Sequence, residues 1–449
     1  MRAVHCLAAA ALVLGAVGCA VPKGAGFPDV AKAVEKRAGL QVHWRTGTEE
    51  DQKADKLVTD LLEKELSADD AVQIALLRNP TLQATYEALG VAQADVVQAG
   101  LLENPRFSVA VRFPLMRGLR LVDMGVTESF LSAFLIPAKK RMAEARFELA
   151  KLQVSHAILE QATRTRVAYL RLVSAKAELT IATDALDRAA ASVKQASPSP
   201  ADVSNKLPVA AERAAYEAQL VDVARLEGAT AEAREDLLVE MGLFGPDADH
   251  VKVPATIDEV PEKDPSMDGV EGVAVASRFD LAAARRTSEI AARALDLAKM
   301  GRYTSILDLG IATSREEDGT WFLGPSGSLT LPIFDQGQAL IFSLESRKRG
   351  ADERLFALSI EARSEARRQR GRVLLSRDLA ERTKAAWTPV AARVVALAEQ
   401  QHDTSLLGVL QIAAARREES AARRAHVTAL RDYWIARAEL VRAVGGALP

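Results

Sequence analysis

Two stretches of this chain, from Ala138 to about residue 196 and from Gln338 to about residue 401, keep a helical spacing that no Gly-Pro break interrupts. About 60 residues at 1.5 Å each make a rod of ~90 Å, several times the length of a typical globular helix. In the first stretch Ala145, Leu149, Leu152, His156 and Leu159 follow 3-4 spacing, and Leu170, Val173 and Ala177 take it up again. That spacing predicts a coiled-coil seam, with alanines allowing close approach and His156 packed or at the rim rather than ligating a metal. Only a few folds can use such rods. Charged residues make up 26% of the chain and aromatics 5%, a mix suited to helices packed side by side rather than to a thick aromatic core.

Each rod turns back. "SPSPADVSNKLP" (197–208) leads into a helix ending near "MGLFGP", and "QHDTSLLG" (401–408) leads into a terminal helix ending at "VGGALP". The glycines and prolines after each are helix stops. Upstream of each rod the plan repeats as well. "LLRNPTLQATYEALGVAQADVVQAG" and "ASRFDLAAARRTSEIAARALDLAKMG" match as copies, with Arg78 and Leu82 answering Arg278 and Leu281. A short alternating stretch follows each ("RFSVAVRF", "TSILDLGI"), then a glycine-containing loop, a second short strand ("MGVTESF", "SGSLTL") and a proline, Pro137 or Pro332. The chain therefore reads as a duplication, which ties both copies to one interpretation.

In the strands, Phe107, Val109, Val111 and Phe113 share one face, and Ser108, Ala110 and Arg112 the other. Leu307, Leu309 and Ile311 oppose Asp308 and Gly310. This alternation suits a lipid-facing barrel strand around a watery lumen. It equally suits a half-buried antiparallel hairpin. Trp321 and Phe322 fall in the loop expected before the last strand. After residue 20 no stretch carries the ~20 apolar residues that a membrane-spanning helix requires.

The resulting division is a signal peptide at 1–18, an exposed N-terminal arm at 19–66, and a first repeat at 67–250. Its strands are expected within about 105–130 and its long helices at about 138–196 and 208–242. A Pro- and Asp-rich linker covers 251–267. The second repeat is 268–449, with strands within about 304–331 and helices at about 338–401 and 405–444. The apolar run "CLAAAALVLGAV" after Arg2 has the anatomy of a signal, and it ends in "AVGCA", which resembles a lipoprotein processing box with Cys19 as the lipid acceptor. The other of the two cysteines, Cys6, lies inside the signal. By resemblance to bacterial lipoproteins, Ala20 after Cys19 implies the outer membrane.

The order helix, hairpin, long helix, turn, long helix, twice over, resembles the TolC family of outer-membrane efflux channels across roughly residues 67–449. The stretches that carry the resemblance are "ALLRNPTLQA", "QAGLLENPRFSV", "RFDLAAA", "GPSGSLTLPIFDQGQA" and "ALRDYWIARAELVRAVGG". It implies a mainly α fold with a β-barrel part. In such a homotrimer each protomer gives four strands to a shared twelve-stranded barrel in outer-membrane lipid, and its helices to a periplasmic α-helical tunnel. It also implies a passive duct served by a periplasmic adaptor and an inner-membrane pump. Pro137 and Pro332 would mark the strand-to-helix junctions, and Asp403, with Asp202 at the pseudo-equivalent turn, would form an acidic periplasmic gate.

No P-loop, GxSxG, HExxH or CxxC is present, and the six histidines are scattered. The expectation is therefore no enzyme, no catalytic residue, no metal and no cofactor beyond the lipid on Cys19. Fifty-eight Lys and Arg against 60 Asp and Glu, net charge −2, give no electrostatic case for nucleic acid. The sequence does not name a substrate. The rival reading is a periplasmic coiled-coil lipoprotein scaffold without channel activity.

Overall fold

A computed structural model describes residues 22, 24–102, 104, 106–113, 121–128, 130–195, 206–301, 307–315, 319–329, 333–403 and 409–448. The N-terminal arm holds helices α1 (Phe27–Ala38) and α2 (Glu49–Leu62). Then come α3 (Ala68–Arg78), α4 (Pro80–Gly100), strands β1 (Arg106–Arg112) and β2 (Leu121–Glu128), α5 (Phe130–Gln195) and α6 (Lys206–Met241). After a short α7 (Pro246–Asp249) the order returns: α8 (Val270–Ser277), α9 (Phe279–Gly301), β3 (Leu307–Arg315), β4 (Trp321–Leu329), α10 (Gln338–Arg382), a π-helical turn (Thr383–Trp387), α11 (Thr388–Asp403) and α12 (Val409–Ala443).

Local chemistry explains the breaks. Ser67 and Asp70 form a reciprocal capping box at the start of α3. Pro80 cannot continue α3, so Asn79 takes an extended backbone and its side-chain carbonyl accepts from the Leu82 N–H. Its amide donates to the carbonyls of Val239 and Glu240 at the end of α6. There α6 closes in a Schellman motif: Leu243 N–H bonds Leu238 O at 3.0 Å, with Gly242 at φ +70°. A side chain on Gly242 would place Cβ 2.8 Å from Asn79 Cα and 2.7 Å from Pro80 Cδ. The second copy repeats the device. Gly446 N–H bonds Val441 O at 3.0 Å, Gly445 has φ +82°, and a Cβ there would lie 2.9 Å from Arg278 Cα. The duplication read from the sequence thus extends to matched helix ends, each pressed on its own repeat's helix break.

Two compact units cut across the repeats. One comprises Met1–Asp29, Glu87–Val154 and Asp280–Leu358, and the other Val30–Tyr86, Ser155–Phe279 and Ser359–Pro449. The first holds a four-stranded antiparallel sheet in the order β1-β2-β3-β4. The second holds the main apolar cores. One gathers Leu62, Leu66, Ile74, Tyr169, Leu172, Leu237 and Met241, and another Ala366, Val373, Tyr433, Leu440 and Val444. Each fully buried Leu there is worth about 2–5 kcal/mol on truncation. The linker is strapped down. Arg377 donates to Pro261 O, Glu262 O and the Asp264 carboxylate, and Trp434 Nε1 donates to Asp258 O.

One sequence expectation is overturned and two are refined. Pro137 lies inside α5 instead of before it, because the helix starts at Phe130, straight after β2. The proline sits two turns in, and the helix tolerates one missing N–H donor. The stretch "RTGTEEDQKADK" is largely exposed, as expected of an arm, but it is helical from Glu49: Thr48 and Asp51 form a capping box that starts α2, and His43 Nε2 lies 2.6 Å from Asp51 Oδ1. The predicted α5 row is buried at Ala145, Leu159, Leu170, Val173 and Ala177, but Leu149, Leu152 and His156 are only partly buried, and Ala150, Val154, Ile158, Gln161 and Thr165 are buried beside them. Polar Gln161 and Thr165 take buried places because Gln161 bonds Glu240 O at 2.8 Å and Thr165 Oγ1 bonds Gln161 O. His156 is partly exposed, 3.5 Å from Glu160.

Candidate functional site

The sheet carries two chemically distinct faces. Directly opposed residues in an antiparallel pair share a face, so the strand register sorts the side chains. One cross-strand row runs Ala110–Asp123–Ser314–Phe322, and the next position along the strands gives Val109–Met124–Thr313–Leu323. Ser108, Arg112, Ala312, Gly324 and Ser326 fall with the first row. Phe107, Val111, Ile311 and Trp321 fall with the second. On the polar face Arg112 reaches the Asp123 carboxylate at 2.9 Å. The apolar face is uncovered: Phe107 is 68% exposed, Val109 51%, Ile311 59% and Leu323 78%.

Trp321 and Phe322, expected in a loop, are the first two residues of β4. They therefore point to opposite faces, Trp321 with the apolar set and Phe322 with the small and polar set. Phe322 is a large apolar residue in that set, and the register places Leu121, opposite Arg112, there too. β1 and β4 end the sheet, and no other described strand occupies their outer edges. After β4 a tight turn, in which Gly337 N–H bonds Asp335 Oδ1 and Gln338 bonds Phe334 O, holds Phe334 out at 91% exposure beside exposed Ile333. None of the helices among the described residues is long and apolar enough to cross a membrane.

The second long rod, α10 and α11, carries two parallel stripes. Ala362, Ala366, Gln369, Val373, Ser376, Ala380 and Thr383 are buried at strict 4-3 spacing, and the row resumes at Ala391, Val395 and Ala398. The latter two pack on Ile412 and Ala415 of α12. One position earlier on the same helix, Leu375, Leu379, Val390, Val394 and Leu397 form an exposed apolar stripe. At the base of α10, Glu365 takes Arg278 Nη1 at 2.5 Å and is also bonded by Arg442. Burial raises the Glu365 carboxyl, but these two guanidiniums outweigh it and hold the group below its usual range.

Of the residues singled out from the sequence, Asp403 is the last residue of α11, with its side chain outside the described set. Cys19, Asp202 and Pro332 lie outside the described residues. The functional elements are surfaces, an amphipathic sheet with open edges and a long apolar stripe, and the sequence reading had not found the stripe.

No family model and no curated protein matches the chain. Solved structures do. CusC, whose structures concern folding and transmembrane channel formation, is 15% identical over 87% of this chain and 94% of its own, with TM-score 0.70. The outer membrane protein VceC of Vibrio cholerae is 16% identical, covering 85% and 97%, with TM-score 0.69. The CmeC outer membrane channel of Campylobacter jejuni is 14% identical, covering 91% of each chain, with TM-score 0.68. At such identities the likeness is one of backbone architecture, and this chain has the fold of these membrane proteins, the fold that its resemblance to the TolC family implies.

Proposed function

We propose that this protein is an outer-membrane efflux duct: a homotrimer whose copies each give four strands to a twelve-stranded barrel in lipid and their helices to a periplasmic tunnel. One observation carries the reading. The strand register puts mostly apolar residues, uncovered at Phe107, Val109, Ile311 and Leu323, on one face and mostly small or polar ones on the other, and no other described strand pairs with either edge of the sheet. In hydrocarbon an unpaired edge leaves backbone groups without partners, so such a sheet is stable only when closed. A scaffold standing in water would leave the apolar face exposed for no return. The exposed stripe Leu375–Leu397 supports assembly independently, since a second helix seam calls for a second copy.

In this assembly the duct is passive, and a periplasmic adaptor and an inner-membrane pump supply cargo and energy. Cys19 carries the lipid anchor. Asp403, with Asp202 at the equivalent turn, places acidic rings at the periplasmic end, which favour cations. The purified protein should run as an SDS-resistant trimer that dissociates on boiling, and should conduct in planar bilayers. A monomer that does not conduct sinks the proposal. Asp403→Asn should lower cation selectivity, and an unaltered selectivity removes that residue from the gate without touching the duct.

A further inference from the structure

The buried row of the second rod contains a step of irregular length. From Ala362 to Thr383 its members follow each other at four and three residues, so a continuous α-helix would next bury Trp387, Val390, Val394 and Leu397. The seam instead takes Ala391, Val395 and Ala398, each one position later. The π-turn Thr383–Trp387 supplies the additional residue. Two residues after it stands Pro389, which has no N–H to give Ala385 O and whose ring would meet that carbonyl in a regular helix. The turn is pinned to α12 at both ends: Thr383 Oγ1 lies 2.9 Å from His426 Nδ1, and Trp387 Nε1 donates to Glu418 at 3.1 Å. Thr388 Oγ1 is buried there without a hydrogen-bond partner.

We propose that Pro389 is a positioning residue that sets the register of the distal rod. By holding the π-turn, it keeps the small row Ala391–Val395–Ala398 against α12 and the large row Val390–Val394–Leu397 facing outward. Without the turn, residues 388–403 would rotate by one position, ~100° about the helix axis. The large row would enter the seam, and Pro389, Arg393 and Ala396 would replace it outside. That exchange puts a charge on the stripe offered to a second copy. The inference concerns the register of one chain and does not depend on conductance.

Cysteine pairs in the full-length protein read the register, because the natural sequence has no cysteine after Cys19. Val395→Cys with Ala415→Cys reports the observed register, and Val394→Cys with Ala415→Cys the rotated one. In the otherwise native chain the first pair should cross-link at least tenfold faster. Adding Pro389→Ala should raise the rotated pair's rate at least fivefold. Deleting Ala385 in that background, which removes the additional residue, should return the preference to the first pair. Pro389→Ala with the native preference intact overturns the proposal, as does a rotated pair that already dominates in the native chain. A rotated signal that survives the deletion also overturns it, since it would then come from loosening rather than register. Cross-linking by the first pair in the deletion variant guards against reading misfolding as rotation.

Discussion

Val109 and Ala110 are neighbours on β1 that the register sends to opposite faces, so one substitution at each position tests the lipid-facing assignment. Val109 is the middle residue of the seven in β1. Three residues lie on either side, about 10 Å at ~3.4 Å each, which sets it near the centre of an apolar band ~25 Å tall. An arginine at that depth costs about 2–4 kcal/mol per copy, hence about 6–12 kcal/mol over three copies. The smaller per-copy figure alone shifts insertion ~30-fold. Ala110 sits opposite Asp123 on the polar face, where Asp123 already receives Arg112. A second guanidinium there meets water and a carboxylate, an effect within about 0.5 kcal/mol. On unboiled gels of outer-membrane fractions, Val109→Arg should abolish the trimer band and Ala110→Arg should leave it at wild-type intensity. Equal loss in both variants, or survival of Val109→Arg alone, would refute the face assignment.

A second matched pair uses one helix end. Gly228 lies inside α6 with open space around a Cβ, whereas Gly242 combines φ +70° with contacts under 3 Å. Gly228→Ala should stabilise by about 0.5–1 kcal/mol, and Gly242→Ala should destabilise by about 3 kcal/mol; denaturant midpoints in detergent that move in the same direction would contradict the packing described. The third prediction concerns acid. Because the folded Glu365 carboxyl titrates below the ordinary glutamate value of 4.5, its contribution is complete above that value and is lost as pH falls through the lower folded one. Glu365→Gln should cost about 3 kcal/mol at neutral pH and flatten the stability loss below pH ~4.5; an unchanged acid limb in the variant assigns that loss to other groups.

The strand alternation and the helix stops were legible because each is local: period-two apolarity, a proline after a run, a glycine at a helix end. The capping box at Thr48 and Asp51 was equally local, and reading the charge run as a solvated arm overlooked it. The α5 seam was legible at Ala145, Leu159, Leu170, Val173 and Ala177 but not at its polar members. Gln161 and Thr165 are buried through bonds to Glu240 O and Gln161 O, so their polarity concealed their place in the packed face. Treating 338–401 as one unbroken pattern left out Pro389, the visible cause of the π-turn. The outward stripe of the second rod was hidden in principle. Buried Val373 and exposed Leu375 and Leu379 look alike in sequence until a structure shows which row its own chain covers.

The repeat boundary has a consequence for assembly. β2 and β3 pair directly, so the sheet joins the two halves of the duplication and its open edges, β1 and β4, come from different repeats. The two edges are therefore unlike surfaces, and an isologous contact of β1 with β1 would leave both β4 edges free. Pairing β4 of one copy with β1 of the next is heterologous and propagates around a ring. Because the four strands alternate in direction, that junction is antiparallel, and every added copy preserves the alternation. Closure then depends on curvature alone. Small side chains line the inner face, with Ala110, Ala312, Gly324 and Ser326 among them, and the bulky Phe107, Val109, Ile311 and Leu323 line the outer face. A sheet so loaded bends away from its crowded side, toward the polar lumen, which is the sense that the proposed barrel requires.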